Sequence, residues 1–227
     1  MYEILNRTLL LLSVKGLRKV KAMTNPVIEA INKRRSIRGY EQKPIPREII
    51  NTIIEAGNRA PCMPGQDDMG VLCQPWRFVV VENAKFKQEL LQTALPIWKN
   101  FIESIRDADP DNYKKAMGLY EALEEPKDPI YYSAPVILFV IGPADNPNPI
   151  SCALACENIM LAAYSLGLGS CYTGFGSMVK GNVEITQALE LKDSERIYGP
   201  ILLGYPKDMP EAEPLRWKKK EPVIKWI

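Results

Sequence analysis

Val27, Ile28 and Ile31 lie on one face of a short helix that runs up to Arg34. Asn25 supplies an N-cap and Pro26 a first helical residue. Ser36 to Pro44 reads as extended and polar. Pro46 starts a second helix whose buried stripe is Ile49, Ile50, Ile53 and Ile54. That helix ends near Ala60-Pro61, because a residue before proline avoids the helical region. A loop rich in Gly, Asp and Met follows from Cys62 to Cys73. Trp76 to Val81 predicts a strand, and Asn83 caps a helix through Leu91. Residues 96–128 predict two charged helices, read as a variable lid. Ala134 to Ile141 is a continuous apolar run, hence a strand buried on both faces. Gly142 to Pro149 reads as a loop. Ile150 to Leu166 is a long helix of small and apolar residues, with Gly167 as its left-handed cap. A short strand at Leu168 to Tyr172, a helix at Asn182 to Leu191 and a strand from Tyr198 to Leu203, ending at Gly204, complete the pattern. The tail from Lys207 is basic and proline-rich and ends Val223-Ile224-Lys225-Trp226-Ile227. Strands and helices do not alternate regularly. The fold class is therefore α+β, a central sheet packed by helices.

The first 22 residues stand apart. Ile4 to Val14 is apolar but shorter than the about 20 residues a spanning helix needs, and Asn6, Arg7 and Thr8 interrupt it. It lacks a signal-peptide cleavage pattern. Residues 1–22 read as an extension packing on a partner, or as a leader before a start at Met23. Residues 23–227 form the domain, and no membrane segment is expected.

Composition changes the picture mainly through one absence. Among 227 residues there is no histidine. That excludes Ser-His-Asp and Cys-His triads, HExxH zinc sites and a histidine general base. Net charge is +2, from 29 basic and 27 acidic residues, so no basic field points to nucleic acid. The five cysteines include no CxxC pair, and their spacing does not suit zinc or iron–sulfur ligation. Cys152 and Cys156 read as small buried hydrophobes. The cysteine usage fits a reducing cytoplasm.

Several segments are candidates for chemistry. Arg34-Arg35-Ser36-Ile37-Arg38 gathers three guanidinium groups and a hydroxyl, which suit phosphate oxygens; a solvated basic turn is the plainer alternative. Gly174-Phe175-Gly176 follows a strand, but position 179 is valine, so the dinucleotide fingerprint fails and a tight turn with exposed amides remains. Arg216 and Lys218 to Lys220 form a second basic cluster, ordinarily a solvated tail. Cys62 lacks an activating histidine, which argues against a catalytic thiol. Glu157, inside an apolar helix, reads as a paired structural carboxylate.

Four segments in order resemble the FMN-dependent nitroreductase family. They are Arg34-Arg35-Ser36-Ile37-Arg38; Ala60-Pro61-Cys62 followed by Gln74-Pro75-Trp76-Arg77-Phe78-Val79-Val80; Asn158 to Ser170 leading to Thr173-Gly174-Phe175; and Ile201-Leu202-Leu203-Gly204-Tyr205-Pro206 with the lysine cluster and Glu221-Pro222 beyond. Together they cover about residues 25 to 227. Two departures stand out: Cys62 replaces the family's common serine, and the stretch from Met63 to Cys73 is longer than usual, with Leu72 where asparagine is usual.

The resemblance implies a nitroreductase-like central mixed or antiparallel sheet surrounded by helices, in an intertwined homodimer with FMN at each end of the interface. Arg34, Arg35, Ser36 and Arg38 would hold the phosphate, ribityl chain and pyrimidine edge, with Arg38 near flavin N1 and O2. Pro61, Cys62 and Met63 of the other subunit would line the ring. Thr173 and Gly174 would pack on it, and Lys218 and Lys220 would close the phosphate site. No side chain is then a catalytic group; flavin N5 is the reactive atom. The implied activity is ping-pong electron transfer from NAD(P)H to an aromatic acceptor such as a nitro compound or quinone. Trp98, Tyr113 and Tyr120 are candidate acceptor contacts. The altered 63–73 loop keeps a second chemistry open, reductive dehalogenation or dehydrogenation of a specialised substrate.

Overall fold

A computed structural model describes residues 25–62, 74–145, 147–208 and 221–227. Residues 25–33 belong to one compact unit and the rest to a second. In the first, helix α1 (Pro26–Lys33) begins as its sequence dictates, with Asn25 Oδ1 accepting from the amides of Val27 and Ile28.

The second unit is built around strand β2 (Val136–Pro143), which is buried almost throughout. Beside it run β1 (Arg77–Val81) and β5 (Ile201–Gly204), and β3 (Gly169–Tyr172) pairs the far edge of β5. A short β4 (Glu195–Ile197) pairs the C-terminal end of β2. All of these ladders are antiparallel.

Side chains of a strand alternate between its faces, and β2 uses both. Ile137, Phe139 and Ile141 enter one core cluster; Val136, Leu138 and Val140 enter the other. Helix α2 (Arg47–Asn58) and helix α5 (Asn148–Ser165) fill the second cluster with Ile50, Ile53, Ala155, Ile159 and Ala163. Helix α3 (Ala84–Ser104) fills the first with Leu90, Ala94, Trp98 and Ile102. Helix α4 (Pro110–Glu121), between α3 and β2, has no buried residue. Helix α6 (Val183–Ala188) is capped by Asn182 and buries Ile185.

Several boundaries differ from the sequence pattern, three of them for plain physical reasons. Helix α3 continues well past Leu91, because Ala94, Trp98 and Ile102 carry the same buried stripe onward and Pro96 is accommodated inside it. Strand β2 extends through Gly142 and Pro143, where β4 supplies partners. Strand β5 starts at Ile201 rather than Tyr198, since Pro200 has no amide hydrogen for a ladder.

Candidate functional site

Residues 34–38 form an added edge on β3. The amide of Ile37 donates to the carbonyl of Ser170 at 2.9 Å, and Ser36 bridges Ser170 in parallel. Ile37 turns into the core, which exposes its neighbours Ser36 and Arg38, the expected alternation of an extended segment. The approach is close: a Cβ on Gly169 would lie 2.8 Å from the Ile37 side chain, so this position of β3 needs glycine. The buried Tyr40 hydroxyl donates to the Ile37 carbonyl at 2.6 Å. Beyond it the Glu41 amide donates to Tyr205, and the Lys207 amide donates to Gly39. The polar appearance of Ser36 to Pro44 therefore hides two anchors, Ile37 and Tyr40.

Arg34 lies half-buried, its Nε 3.4 Å from Glu157 Oε1 on α5. Arg35 Nη1 donates to the Arg34 carbonyl. The Arg38 guanidinium carbon sits 5.7 Å from the ring centre of Tyr132. Burial pushes the Cys171 thiol up, while Arg38, a hydrogen bond with Ser36 and Arg34 pull it the other way. The same residues thus make a positive field over β3.

Thr173 and Gly174 leave the end of β3 on the same side of the sequence. The Thr173 amide donates to Pro200, and Thr173 is buried. Gly174 is exposed and opens a short 3-10 turn, Phe175–Ser177. Buried polar groups normally find partners, so exceptions mark places where something else can bind. Among the described residues, the buried side-chain atoms without a hydrogen-bond partner are Arg34 Nε and Ser170 Oγ. Both belong to this seam. A buried donor, a hydroxyl and the three guanidinium groups of residues 34–38 fit the phosphate-bearing end of a flavin nucleotide.

The other anticipated residues fall elsewhere. Pro61 is exposed, and Cys62 packs with the core cluster of Ile53 and Trp76, whereas Ile37 and Cys171 belong to the opposite cluster. Met63, Lys218 and Lys220 lie outside the described residues. Glu157 is paired with Arg34, as its helical setting suggested. Trp98 is a core residue packed on Tyr120, and Tyr113 accepts from Arg106 and meets Glu103. Phe101 was not anticipated; it is exposed and 5.2 Å from Phe175, immediately after Gly174. The sequence pattern does not single out Tyr132 either, although the Tyr131-Tyr132 pair, with Ser133, immediately precedes the apolar run at Ala134. Among the described residues no cluster suits a metal ion, and no helix is long and apolar enough to cross a membrane.

The profile of the Nitroreductase family matches residues 31–205, and the chain belongs to that family. A Methanothermobacter thermautotrophicus protein provisionally named NADH dehydrogenase/NAD(P)H nitroreductase is 28% identical over 205 residues, covering 88% of this chain and 87% of its own. Iodotyrosine deiodinase 1 of Rattus norvegicus is 29% identical over 157 residues, covering 62% of this chain and 49% of its own. A crystal structure of a Bacteroides fragilis nitroreductase with bound FMN superposes with a TM-score of 0.61 at 28% identity, covering 89% of this chain and all of that one. The chain is thus an enzyme of the nitroreductase type with that family's α+β fold.

Proposed function

We propose that the chain is an FMN-dependent oxidoreductase that passes electrons from NAD(P)H to a small aromatic acceptor, a nitro compound or quinone. The observation that carries this reading is the seam where Arg34, Ser36 and Arg38 meet β3 and leave Arg34 Nε and Ser170 Oγ without hydrogen-bond partners. FMN, when bound, supplies the hydride and electron chemistry at its N5 atom. The chain's own residues bind and orient it. Arg34 and Ser170 hold phosphate oxygens, with Arg35 and Ser36 beside them. Arg38 faces the pyrimidine edge, and the exposed amide of Gly174, unobstructed by a side chain, faces the ring. Lys218 and Lys220 add charge at the phosphate.

The reading includes a homodimer. Helix α5 is apolar around its circumference, and such a helix is normally buried on all sides. Yet Ile150 and Leu154 are exposed. A second copy covers them, and Pro61, Cys62 and Met63 of that copy complete the site.

Anaerobic mixing with NADH or NADPH tests the activity. The flavin absorbance bleaches with at least one nicotinamide and returns on addition of a nitroaromatic or quinone. Absorbance that neither nicotinamide changes would count against the reading. The similarity to an iodotyrosine deiodinase supports a second chemistry, reductive dehalogenation. Halo-aromatic turnover outpacing nitro turnover by the reduced enzyme would favour it.

A further inference from the structure

One buried carboxylate orders the loop whose tyrosines reach two segments of the site. Asp128 is 7% exposed, and its oxygens accept from backbone amides. Oδ1 accepts from Ile130 at 3.1 Å and from Tyr131 at 2.7 Å, and Oδ2 accepts from Ser133 at 2.9 Å. Three amides converging on one carboxylate fix a tight loop, since hydrogen bonds to a charged acceptor are strong. The loop is strained as well as fixed. Tyr132 and Ser133 both have φ of 51°, a left-handed conformation uncommon outside glycine. Such residues persist only where their surroundings over-determine them, and they gather at functional sites.

The loop has fixed points on both flanks. Lys87 of α3 donates to the carbonyls of Ala134 and Pro135 at 2.9 and 2.8 Å, and Gln42 donates to the Ser133 carbonyl at 3.0 Å. Its two tyrosines serve different segments. The Tyr131 hydroxyl donates to Gly176 at 3.0 Å, in the turn that Gly174 opens. That fit is tight, because a Cβ on Gly176 would lie 2.8 Å from the Tyr131 ring. Tyr132 turns instead to Arg38, whose guanidinium lies 5.7 Å from its ring centre, within the range of a cation–π contact. Burial raises the Tyr132 phenol above its ordinary range, although Arg38 pulls it down, so a neutral ring faces the cation.

We propose that the Asp128–Ser133 loop is a positioning clasp, in which Tyr132 sets the Arg38 guanidinium and Tyr131 sets the Thr173–Gly176 turn, so that both meet the same flavin. Tyr132 and Asp128 are positioning residues rather than catalytic ones. The inference rests on the flavin reading above and deepens it. A guanidinium held at the pyrimidine edge favours the negatively charged reduced cofactor. A guanidinium free to swing into water gives that preference up, because water screens it.

The test compares Tyr132→Leu, Tyr132→Phe and Asp128→Asn with wild type. The readouts are FMN and riboflavin affinities, the flavin midpoint potential, and the side-chain Nε–H proton resonance of Arg38 in the apoprotein. Tyr132→Leu is expected to weaken binding of the reduced relative to the oxidised cofactor about tenfold, a fall of about 30 mV for a two-electron couple. Its preference for FMN over riboflavin stays as in wild type, because the phosphate contacts remain. The Arg38 resonance loses its upfield ring shift. Tyr132→Phe keeps the ring and recovers most of both effects, and Asp128→Asn moves the potential in the same direction as Tyr132→Leu. An unchanged potential and an unchanged Arg38 resonance in Tyr132→Leu would overturn the proposal, even if the variants melt earlier. Wild type that binds neither flavin overturns the functional reading itself, a different result from wild type that binds FMN with a potential indifferent to Tyr132.

Discussion

Arg34 carries the sharpest expectation of any single side chain. Its Nε is buried without a hydrogen-bond partner and lies 3.4 Å from Glu157. Arg34→Ala is expected to weaken FMN retention by about 1.5–3 kcal/mol, the worth of a charged hydrogen bond, as read by titration of the apoprotein. Cys152 and Cys156 make a different prediction. Burial holds their thiols at about 11 and about 12, above the ordinary 9.0. The folded chain therefore keeps protons that the unfolded chain has released. Their stabilisation is complete below about pH 9 and is lost as pH rises towards 12. A Cys152→Ala/Cys156→Ala variant should show a shallower loss of urea resistance between about pH 9 and about pH 11 than wild type. Sequence alone identified the arginines, but not why they matter as a group. Ile37 and Tyr40 pin the segment to β3 and to the chain after β5, and those contacts join residues far apart in sequence.

Helices α2 and α5 meet at a close crossing centred on Ile159, which is fully buried. Ile159→Ala should cost about 2–5 kcal/mol of stability, as large-to-small changes in a packed core do. Chemical denaturation, with both midpoint and slope recorded, measures it. Such elements were legible because their signals are local. Asn25, Asn83 and Asn182 each accept a hydrogen bond from an amide in the first turn of the helix they precede. Gly167 adopts φ of 77° after α5. The run at residues 134–141 marked the central strand through its continuous apolar character. Strand β4 was not legible. Glu195 and Arg196 give it no apolar pattern, and its pairing with β2 is reinforced by the bidentate contact of Arg77 with Glu195. The Asp128 loop escaped for a related reason: its order comes from a carboxylate bonding to backbone amides, which no periodicity reports.

The assembled enzyme is expected to be a dimer joined through α5. A charge on the exposed face of that helix should separate it, since burying an unpaired carboxylate is strongly unfavourable. Leu154→Glu is expected to shift sedimentation from dimer to monomer, while a monomeric wild type would remove this part of the account. The central claim is that the seam between residues 34–38 and β3 grips the phosphate of a flavin nucleotide. Calorimetric titration of the apoprotein with FMN and with riboflavin, which differ by that phosphate alone, tests it most directly. Wild type should prefer FMN by about 10- to 100-fold or more, and Arg34→Ala should shrink that margin towards equality. Equal affinity of wild type for the two flavins would contradict the claim.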